Sequence, residues 1–200
     1  DVLEVPVTSG DIVGTIATAI GAAILAATSL PVSLLSVVAA LVTVRALNDG
    51  TKGNEIDIRV NYRDSEALPA GVTLTIVQMN GGATDPSLTA VTGQIPVALA
   101  ALDADEYDYI IWPYTLDTYL DPLGVFLDDD GGAWDPVVAS YPLAFCAHED
   151  TVSNLSTHGN GRNDPFVSML GELNSPTWIV QVGAAYGAAC ARQLKLDPKR

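Results

Sequence analysis

Between Asp57 and Leu170 the chain repeats one arrangement: a short apolar run, then polar turn residues, then a segment with helical spacing. Short β-rich runs bounded by turn residues predict strands, and their alternation with helices is typical of a layered α/β domain with a largely parallel sheet. The five predicted strands are Ile56–Tyr62, Val72–Met79, Tyr107–Trp112, Tyr141–Ala147 and Phe166–Leu170.

The N-terminal part follows another pattern, because Ile12–Val44 contains no charged residue. Ser9-Gly10-Asp11 is a helix-start signal, and Pro31 predicts the end of that helix since proline cannot continue the hydrogen-bond ladder. Isoleucine recurs at every fourth position and predicts one apolar stripe, formed by Ile12, Ile16, Ile20 and Ile24. The β-branched Val32–Val44 predicts a strand pair, although Val37–Ala40 contains no usual turn residue. By length alone, residues 12–44 are also a candidate membrane anchor.

A turn-rich linker, Asn48–Gly50 and Gly53-Asn54, separates these two parts. We therefore predict a small N-terminal α+β unit over residues 1–50, part of an insertion or outer subdomain, and a main α/β domain over residues 51–200. The predicted fold class is α/β: a layered domain with a central, mostly parallel sheet flanked by helices, plus the small α+β subdomain.

Three helices are predicted in the main domain. The first runs from Pro96 to Leu102, and the second follows Thr115, which is predicted to cap it. The apolar face of that second helix is predicted to contain Leu116, Tyr119, Leu120 and Leu123. Ser175 and Pro176 predict the start of the last helix. Its core-facing residues are predicted to be Trp178, Val182, Ala185 and Ala189.

Charge narrows the possible partners. The net charge is −15, and between Asp64 and Gly161 there are fifteen acidic residues and no Lys or Arg. Nucleic acid and anionic membranes are bound through basic residues, so both are disfavoured as partners. Two interpretations remain open: acidic residues that keep the protein in solution, or an acidic surface that meets a basic partner.

Each candidate chemical motif has a simpler interpretation. Asp128–Gly132 with Asp135 offers oxygen ligands for a hard cation, but the spacing does not fit an EF-hand and a solvated turn is favoured. Cys146, His148 and His158 include metal-ligand types without a zinc signature. We interpret His148 as a residue at a strand end and His158 as a loop residue. With only two cysteines, reduced buried thiols are predicted rather than a disulfide framework.

Catalytic and phosphate-binding motifs are also weak. His148 and His158 are the only histidines that could act as the base of a Ser–His–Asp catalytic triad. The chain has no Gly-x-Ser-x-Gly motif, which would present the nucleophilic serine. Gly159-Asn160-Gly161 precedes a predicted strand rather than a helix, which argues against a phosphate loop. Gly183 and Gly187 are interpreted as ordinary close packing of the last helix. We therefore predict no catalytic, cofactor-binding or metal-binding residues and no cofactor.

The ordered series of segments resembles the tail sheath proteins of Mu-like contractile-tailed bacteriophages. The segments that carry the resemblance are Gly53–Tyr62, Asn80–Ala83, Glu106–Thr115, Ala144–His148 and Gly159–Pro165. The resemblance extends from about Val5 to Pro198 and depends on the whole pattern rather than on one motif.

This resemblance implies a non-enzymatic structural subunit that polymerises around a tail tube and contracts to drive the tube through the host envelope. The implied partners are other sheath subunits and the tail tube protein, with no nucleic acid and no membrane. The implied location is the virion tail, after assembly in the bacterial host cytoplasm. The C-terminal region and the chain-end arms are expected to lie outside this chain. Asp103–Asp108 is predicted to influence assembly. The alternatives are an α/β enzyme of unknown substrate and a membrane-anchored protein.

Overall fold

The computed structural model describes residues 2–89, 92–102 and 106–196. Their contacts group into two compact units, Asp1–Asp85 and Pro86–Arg200. Residues 51–85 therefore group with the first unit, while the predicted division into residues 1–50 and 51–200 stays a prediction. Asp103–Asp105 of the acidic segment lies outside the described residues.

The first unit contains helix α1 (Val13–Ala26), strand β1 (Val32–Val38) and strand β2 (Leu41–Ala46). The helix packs on the antiparallel β1–β2 pair through small residues, and its buried positions are Ala17 and Gly21. A Cβ at Gly21 would lie 2.6 Å from Val37 Cγ2, so only glycine permits this approach. The predicted isoleucine stripe is therefore wrong in detail, since Ile12 is exposed and small residues form the central contact.

The predicted strand pair is confirmed, and it closes without a usual turn residue. Ala39 and Ala40 connect the strands, and Ala39 has a positive φ of 52°. The uncharged run is thus divided between a helix of 14 residues, about 21 Å long at 1.5 Å per residue, and a hairpin. In the ranges that the structure describes, no helix combines the length and apolar character that a membrane crossing requires.

Replacement of Ala39 by glycine is expected to raise the free energy of unfolding by roughly 0.5–1 kcal/mol, because relief of the left-handed strain exceeds the added chain entropy. Ala40 is the matched control, since its φ is not positive and Ala40→Gly should lower stability slightly. Urea unfolding of both variants checks this. A loss of stability in Ala39→Gly would contradict the described turn.

Two predicted strands, Ile56–Tyr62 and Val72–Met79, are wrong, because neither segment forms a strand in the structure. Side-chain amides join the two segments and the residues beside them instead. Asn54 Nδ2 donates to Gly82 O and Gly82 N donates to Asn54 Oδ1, both at 2.9 Å. Gln78 Nε2 donates to Ile58 O at 2.9 Å, and Ile58 N donates to Gln78 Oε1 at 3.1 Å. Amide groups thus take the place of backbone partners at these positions.

The second unit contains the parallel sheet, with strand order β3-β4-β5. The three strands are β3 (Tyr109–Ile111), β4 (Leu143–Glu149) and β5 (Val167–Glu172); the helices are α2 (Gln94–Leu102), α3 (Asp117–Leu127), α4 (Val152–Gly161) and α5 (Ile179–Leu196). The last three predicted strands are therefore confirmed, as is the predicted α/β class with its small antiparallel companion sheet.

Strand β4 separates two packed layers. Ala144 and Cys146 lie in a core formed with α2 and α3, whose buried members include Ile95, Leu99, Tyr119, Leu120 and Leu123. Phe145 and Ala147 contact α5, where a Cβ at Gly183 would lie 3.1 Å from Ala147 N and one at Gly187 would lie 3.1 Å from Phe145 Cβ. The interpretation of both glycines as close-packing residues is confirmed.

Several predicted helix details are corrected. The buried positions of α5 are Ile179, Gly183 and Gly187, whereas Ala185 and Ala189 are exposed. Ser175 Oγ accepts from Thr177 N in the turn before α5, which begins four residues later than Ser175. The apolar-face prediction for α3 holds for Tyr119, Leu120 and Leu123, while Leu116 is its exposed N-cap residue.

Candidate functional site

Polar side chains from α3, β4, α4 and the connections beside them form a connected group that begins at the α4–β5 connection and reaches the carboxyl end of β4. In open α/β sheets this end is the usual position of a ligand site. We call this group the polar cluster; its members are Thr115, Asp117, Asp121, His148, His158, Arg162 and Asp164.

Thr115 is a buried member of the polar cluster, and it contacts the half-buried His148. Thr115 is 2% exposed, and a hydrogen bond of 2.8 Å joins its Oγ1 to His148 Nδ1. The Thr115 hydroxyl therefore bonds to a side chain of β4 and not to the N-terminus of α3. The prediction that Thr115 caps α3 is wrong. Helix α3 instead begins at Asp117, whose carboxylate favours the helix N-terminus.

The two histidine rings stack on each other. Their centroids are 4.9 Å apart and the rings are inclined by 27°. His158 Nδ1 lies 3.8 Å from Asp117 Oδ1, and His158 Nε2 is buried with no hydrogen-bond partner within the described part of the chain. The interpretation of His158 as a loop residue is wrong, since Gly159-Asn160-Gly161 continue α4 to its end. Thr151 caps α4 by accepting from Asn154 N.

Cys146 does not join the histidines. Its S–H donates to Ser168 O at 3.8 Å inside the core, and burial raises the pKa of the thiol to about 12. Both cysteines are free thiols, as predicted, although Cys190 is only partly buried. Within residues 2–89, 92–102 and 106–196, no group of three potential ligands is close enough to hold a metal ion.

Arg162 connects the acidic members of the polar cluster. Its Nη1 donates to Asp117 Oδ1 at 2.9 Å and to Asp121 Oδ1 at 3.1 Å, and its Nε donates to Asp164 Oδ2 at 2.6 Å. The hydrogen bond from Arg162 lowers the pKa of Asp117, and Asp164 in turn raises the pKa of Arg162. The start of α3 is thus joined to the connection between α4 and β5.

The acidic turn after α3 has an internal structural role. Both carboxylate oxygens of Asp135 accept backbone N–H groups, Oδ2 from Gly131 at 2.9 Å and Oδ1 from Val137 at 2.7 Å. Gly131 has a φ of 83°, the left-handed conformation that suits glycine. This geometry favours the solvated-turn interpretation of Asp128–Gly132. A groove of about 400 Å³ lies beside this turn and reaches Arg162.

Sequence reasoning found the two histidines but missed Thr115 and Arg162 as their neighbours. Arg162 is the only Lys or Arg between Arg63 and Arg192 along the chain. A single cation among so many acidic residues is a signal that predicts an ion pair, although the partners cannot be chosen without the fold. The polar groups of the cluster bond mainly to one another. The Thr115 hydroxyl is buried and hydrogen bonded to His148, and the Arg162 guanidinium contacts three carboxylates.

Acidification is expected to weaken the polar cluster and the start of α4. The pKa of Asp117 is lowered by Arg162, and that of Asp150 by hydrogen bonds from Asn154 and Thr151, from an ordinary value of 3.8. A lowered folded-state pKa contributes stability above the unfolded-state pKa, and this stability is lost as the pH falls through the folded-state value. The free energy of unfolding should therefore fall below about pH 4.

Urea unfolding between about pH 2 and pH 6 measures this slope. Asp117→Asn and Asp150→Asn should each make the slope shallower, and Asp129→Asn controls for the loss of one exposed charge. Equal slopes in the wild type and both variants would contradict the assigned interactions.

The fold and the polar cluster together define an acidic α/β domain whose central polar groups are paired with one another. No family model matches the chain. The chain is 33% identical over 194 residues, 97% of its length, to the Mu-like prophage FluMu tail sheath protein of Haemophilus influenzae (strain ATCC 51907 / DSM 11121 / KW20 / Rd). The predicted resemblance to Mu-like tail sheath proteins is therefore confirmed. The chain spans 38% of the length of that relative.

Proposed function

We propose that this chain is part of a structural subunit of a contractile phage tail sheath. The observation that carries the proposal is the similarity of 97% of the chain to a protein named as a tail sheath protein. In this role the subunit polymerises around a tail tube and contracts to drive the tube through the host envelope. Its partners are other sheath subunits and the tail tube protein. It acts in the virion tail after assembly in the host cytoplasm.

The internal geometry supports a mechanical role. A sheath subunit must keep its shape while its contacts with neighbours change, so a stiff block is required. Because Gly183 and Gly187 have no side chain, α5 packs closely against β4. Arg162 joins α3 to the α4–β5 connection through its carboxylate contacts. These contacts hold α5 against β4 on one face of the sheet, and α3 to the α4–β5 connection on the other side.

A non-enzymatic role is part of the proposal. The hydroxyl of Thr115, which contacts His148, is buried and already used in that hydrogen bond. Arg162 is likewise committed to three carboxylates, which leaves it poorly placed to bind an anionic substrate. Exposed acidic residues such as Asp121 and Asp128–Asp130 suit contacts with basic groups on neighbouring subunits, where charge fixes register more than affinity.

Electron microscopy of the longer gene product that contains this chain tests the proposal. Purified protein at high concentration should form striated cylinders, because in the proposed role the subunits bind one another in a helical array. The 200-residue chain alone should remain monomeric or associate weakly. Absence of cylinders from the folded longer protein, across a range of salt concentrations and with tail tubes added, would contradict the proposed function.

A further inference from the structure

Three side-chain links in the first unit share one antiparallel register. The linked pairs are Thr51 with Asp85, Asn54 with Gly82, and Ile58 with Gln78. From pair to pair, the first partner advances by three and then four residues, and the second partner retreats by the same three and four. Equal and opposite steps are the register of an antiparallel β ladder. The segments Ile56–Tyr62 and Val72–Met79 are therefore aligned with each other, although neither is a strand.

The Gln78 side chain makes the two hydrogen bonds that a ladder would make through the backbone. Its Nε2 donates to Ile58 O at 2.9 Å, and Ile58 N donates to its Oε1 at 3.1 Å. The Asn54 amide exchanges the same two bonds with Gly82. In antiparallel sheets, pairs of residues that exchange two bonds recur at every second position. These two pairs, four residues apart, are therefore positions of the same kind in one register.

The same register separates apolar from polar side chains. Beyond the Ile58–Gln78 pair, it places Val60 opposite Ile76 and Tyr62 opposite Leu74. Directly opposed residues lie on the same face of a ladder, so these apolar side chains would share one face. Successive side chains alternate between the faces. The polar residues of the first segment that fall on the opposite face are Asp57, Arg59 and Asn61. Hydrogen bonds and apolar pattern therefore indicate the same register.

Two features oppose this ladder in the structure. The Gln78 amide lies between the two backbones, and within residues 2–89 no backbone hydrogen bond joins the two segments. Asn61 has a φ of 53°, in the left-handed region that asparagine tolerates, whereas an antiparallel strand needs a φ near about −140°. The four apolar side chains that the register would pair remain between 36% and 61% exposed.

We propose that the two segments form a latent ladder, in which residues 57–62 and 74–79 pair through their backbones in this register. Two changes convert the observed arrangement into the latent ladder. The Gln78 amide leaves the space between the backbones, and Asn61 adopts the extended conformation of a strand. Four exposed apolar side chains then come together on one face, which reduces the apolar surface in contact with water. This inference concerns the first unit alone and does not depend on the proposed function.

The conversion is local, because the loop that joins the two segments is already closed. Its base is held by the links from Thr51 to Asp85 and from Asn54 to Gly82. Its connecting residues 63–73 contain two turns, closed by bonds from Glu66 N to Arg63 O at 2.9 Å and from Val72 N to Pro69 O at 3.0 Å. The entropy cost of bringing the two segments together is therefore largely met before the backbones pair.

Disulfide trapping in the 200-residue chain tests the latent ladder. Val60→Cys with Ile76→Cys places thiols at opposed positions, where a hydrogen-bonded antiparallel pair has Cα atoms about 5.5 Å apart. That spacing lies within the range that a disulfide permits. Val60→Cys with Val77→Cys is the matched control, because it is one residue out of register and on the opposite face. Both pairs carry Cys190→Ser, which removes the half-buried native thiol, and Cys146 is buried.

Under mild oxidation, the matched pair should form its intramolecular disulfide at least about tenfold faster than the control pair, because only the latent ladder brings its thiols to bonding distance. Asn61→Val should raise this rate, since a β-branched residue disfavours the left-handed conformation and favours strands. Asn61→Gly should lower it, because glycine adopts the left-handed conformation without strain. Gln78→Thr should also raise the rate, since it removes the amide that competes with the backbone.

Hydrogen exchange followed by NMR is a second readout that needs no cysteine. In Gln78→Thr, the backbone N–H groups of Val60 and Ile76 should exchange at least about tenfold more slowly than those of Asn61 and Thr75. The first two donate across the latent ladder, whereas the other two point away from the partner strand.

Equal oxidation rates for the matched and control pairs would overturn the proposal. Loss of the matched disulfide in Gln78→Thr would also overturn it, because the amide would then be a permanent link rather than a competitor. Equal exchange of the four N–H groups would overturn it independently, including when the cysteine pairs fail to fold. The sheath role is tested separately, by electron microscopy of the longer protein.

Discussion

Replacement of Gly183 by valine is expected to lower the free energy of unfolding by about 3 kcal/mol, because overpacking between α5 and β4 cannot relax locally. A Cβ at position 183 would lie 3.1 Å from Ala147 N and 3.5 Å from Cys146 C. Both atoms belong to the backbone of the central strand, so the helix must move instead. Valine adds two methyl groups beyond that Cβ and should displace α5 from the sheet.

Two further variants make this prediction specific. Gly183→Ala should stay within about 1 kcal/mol of the wild type, since gained helix propensity offsets the tight contact. Ala185→Val is the matched control on the exposed side of α5 and should cost about 0.5 kcal/mol for helix propensity alone. Chemical denaturation measures all three. A larger loss in Ala185→Val than in Gly183→Val would instead support the core face that the sequence predicted for α5.

Replacement of Arg162 by alanine is expected to lower the free energy of unfolding by about 2 kcal/mol. The arginine side chain is 15% exposed and contacts three carboxylates, so its removal leaves them close together without a counter-charge. Asp117 and Asp121 remain largely exposed and can recover water, which reduces the loss. Asp164 is the least exposed of the three and should dominate the effect.

Arg162→Lys should give an intermediate loss, because an ammonium group keeps the charge but cannot reproduce the planar contact with several carboxylates. Arg192→Ala, at an exposed position on α5, controls for the loss of one positive charge. Urea unfolding near neutral pH compares the three variants with the wild type. Equal stability of Arg162→Ala and Arg192→Ala would show that the acidic contacts contribute nothing measurable.

The sequence predicted correctly those strands whose apolar pattern along the chain matches their position in the folded sheet. Strands β3, β4 and β5 are short apolar runs bounded by turn residues; β4 is buried at its centre, and β3 and β5 are largely half-buried beside it. The pattern failed at Ile56–Tyr62, whose alternation is equally clear, because the side-chain amide of Gln78 bonds to the backbone of Ile58 there. Just before this segment, the side-chain amide of Asn54 bonds to the backbone of Gly82. Asn54 lies 28 residues from its partner Gly82. No local pattern encodes such a pairing.

The candidate site was only partly predictable for the same reason. His148 and His158 stand out by residue type, but their stacking requires α4 to return beside the end of β4. Thr115 satisfies the usual requirements for a helix cap, yet its hydroxyl bonds to His148, which is 33 residues away. A hydrogen bond to the half-buried imidazole of His148 replaced the cap because the sheet brings the two groups together.

The sequence alone determined the α/β class, the acidic character, the hairpin strands and the similarity to Mu-like sheath proteins, since these depend on composition and on order along the chain. The tertiary structure decided which face of each helix is buried, where the turn at Ala39 forms and which carboxylates Arg162 binds. The physical reason is distance. Helical and strand periodicities act between near neighbours, whereas the closest packing and the ion pairs of this chain join residues that only the folded sheet brings into contact.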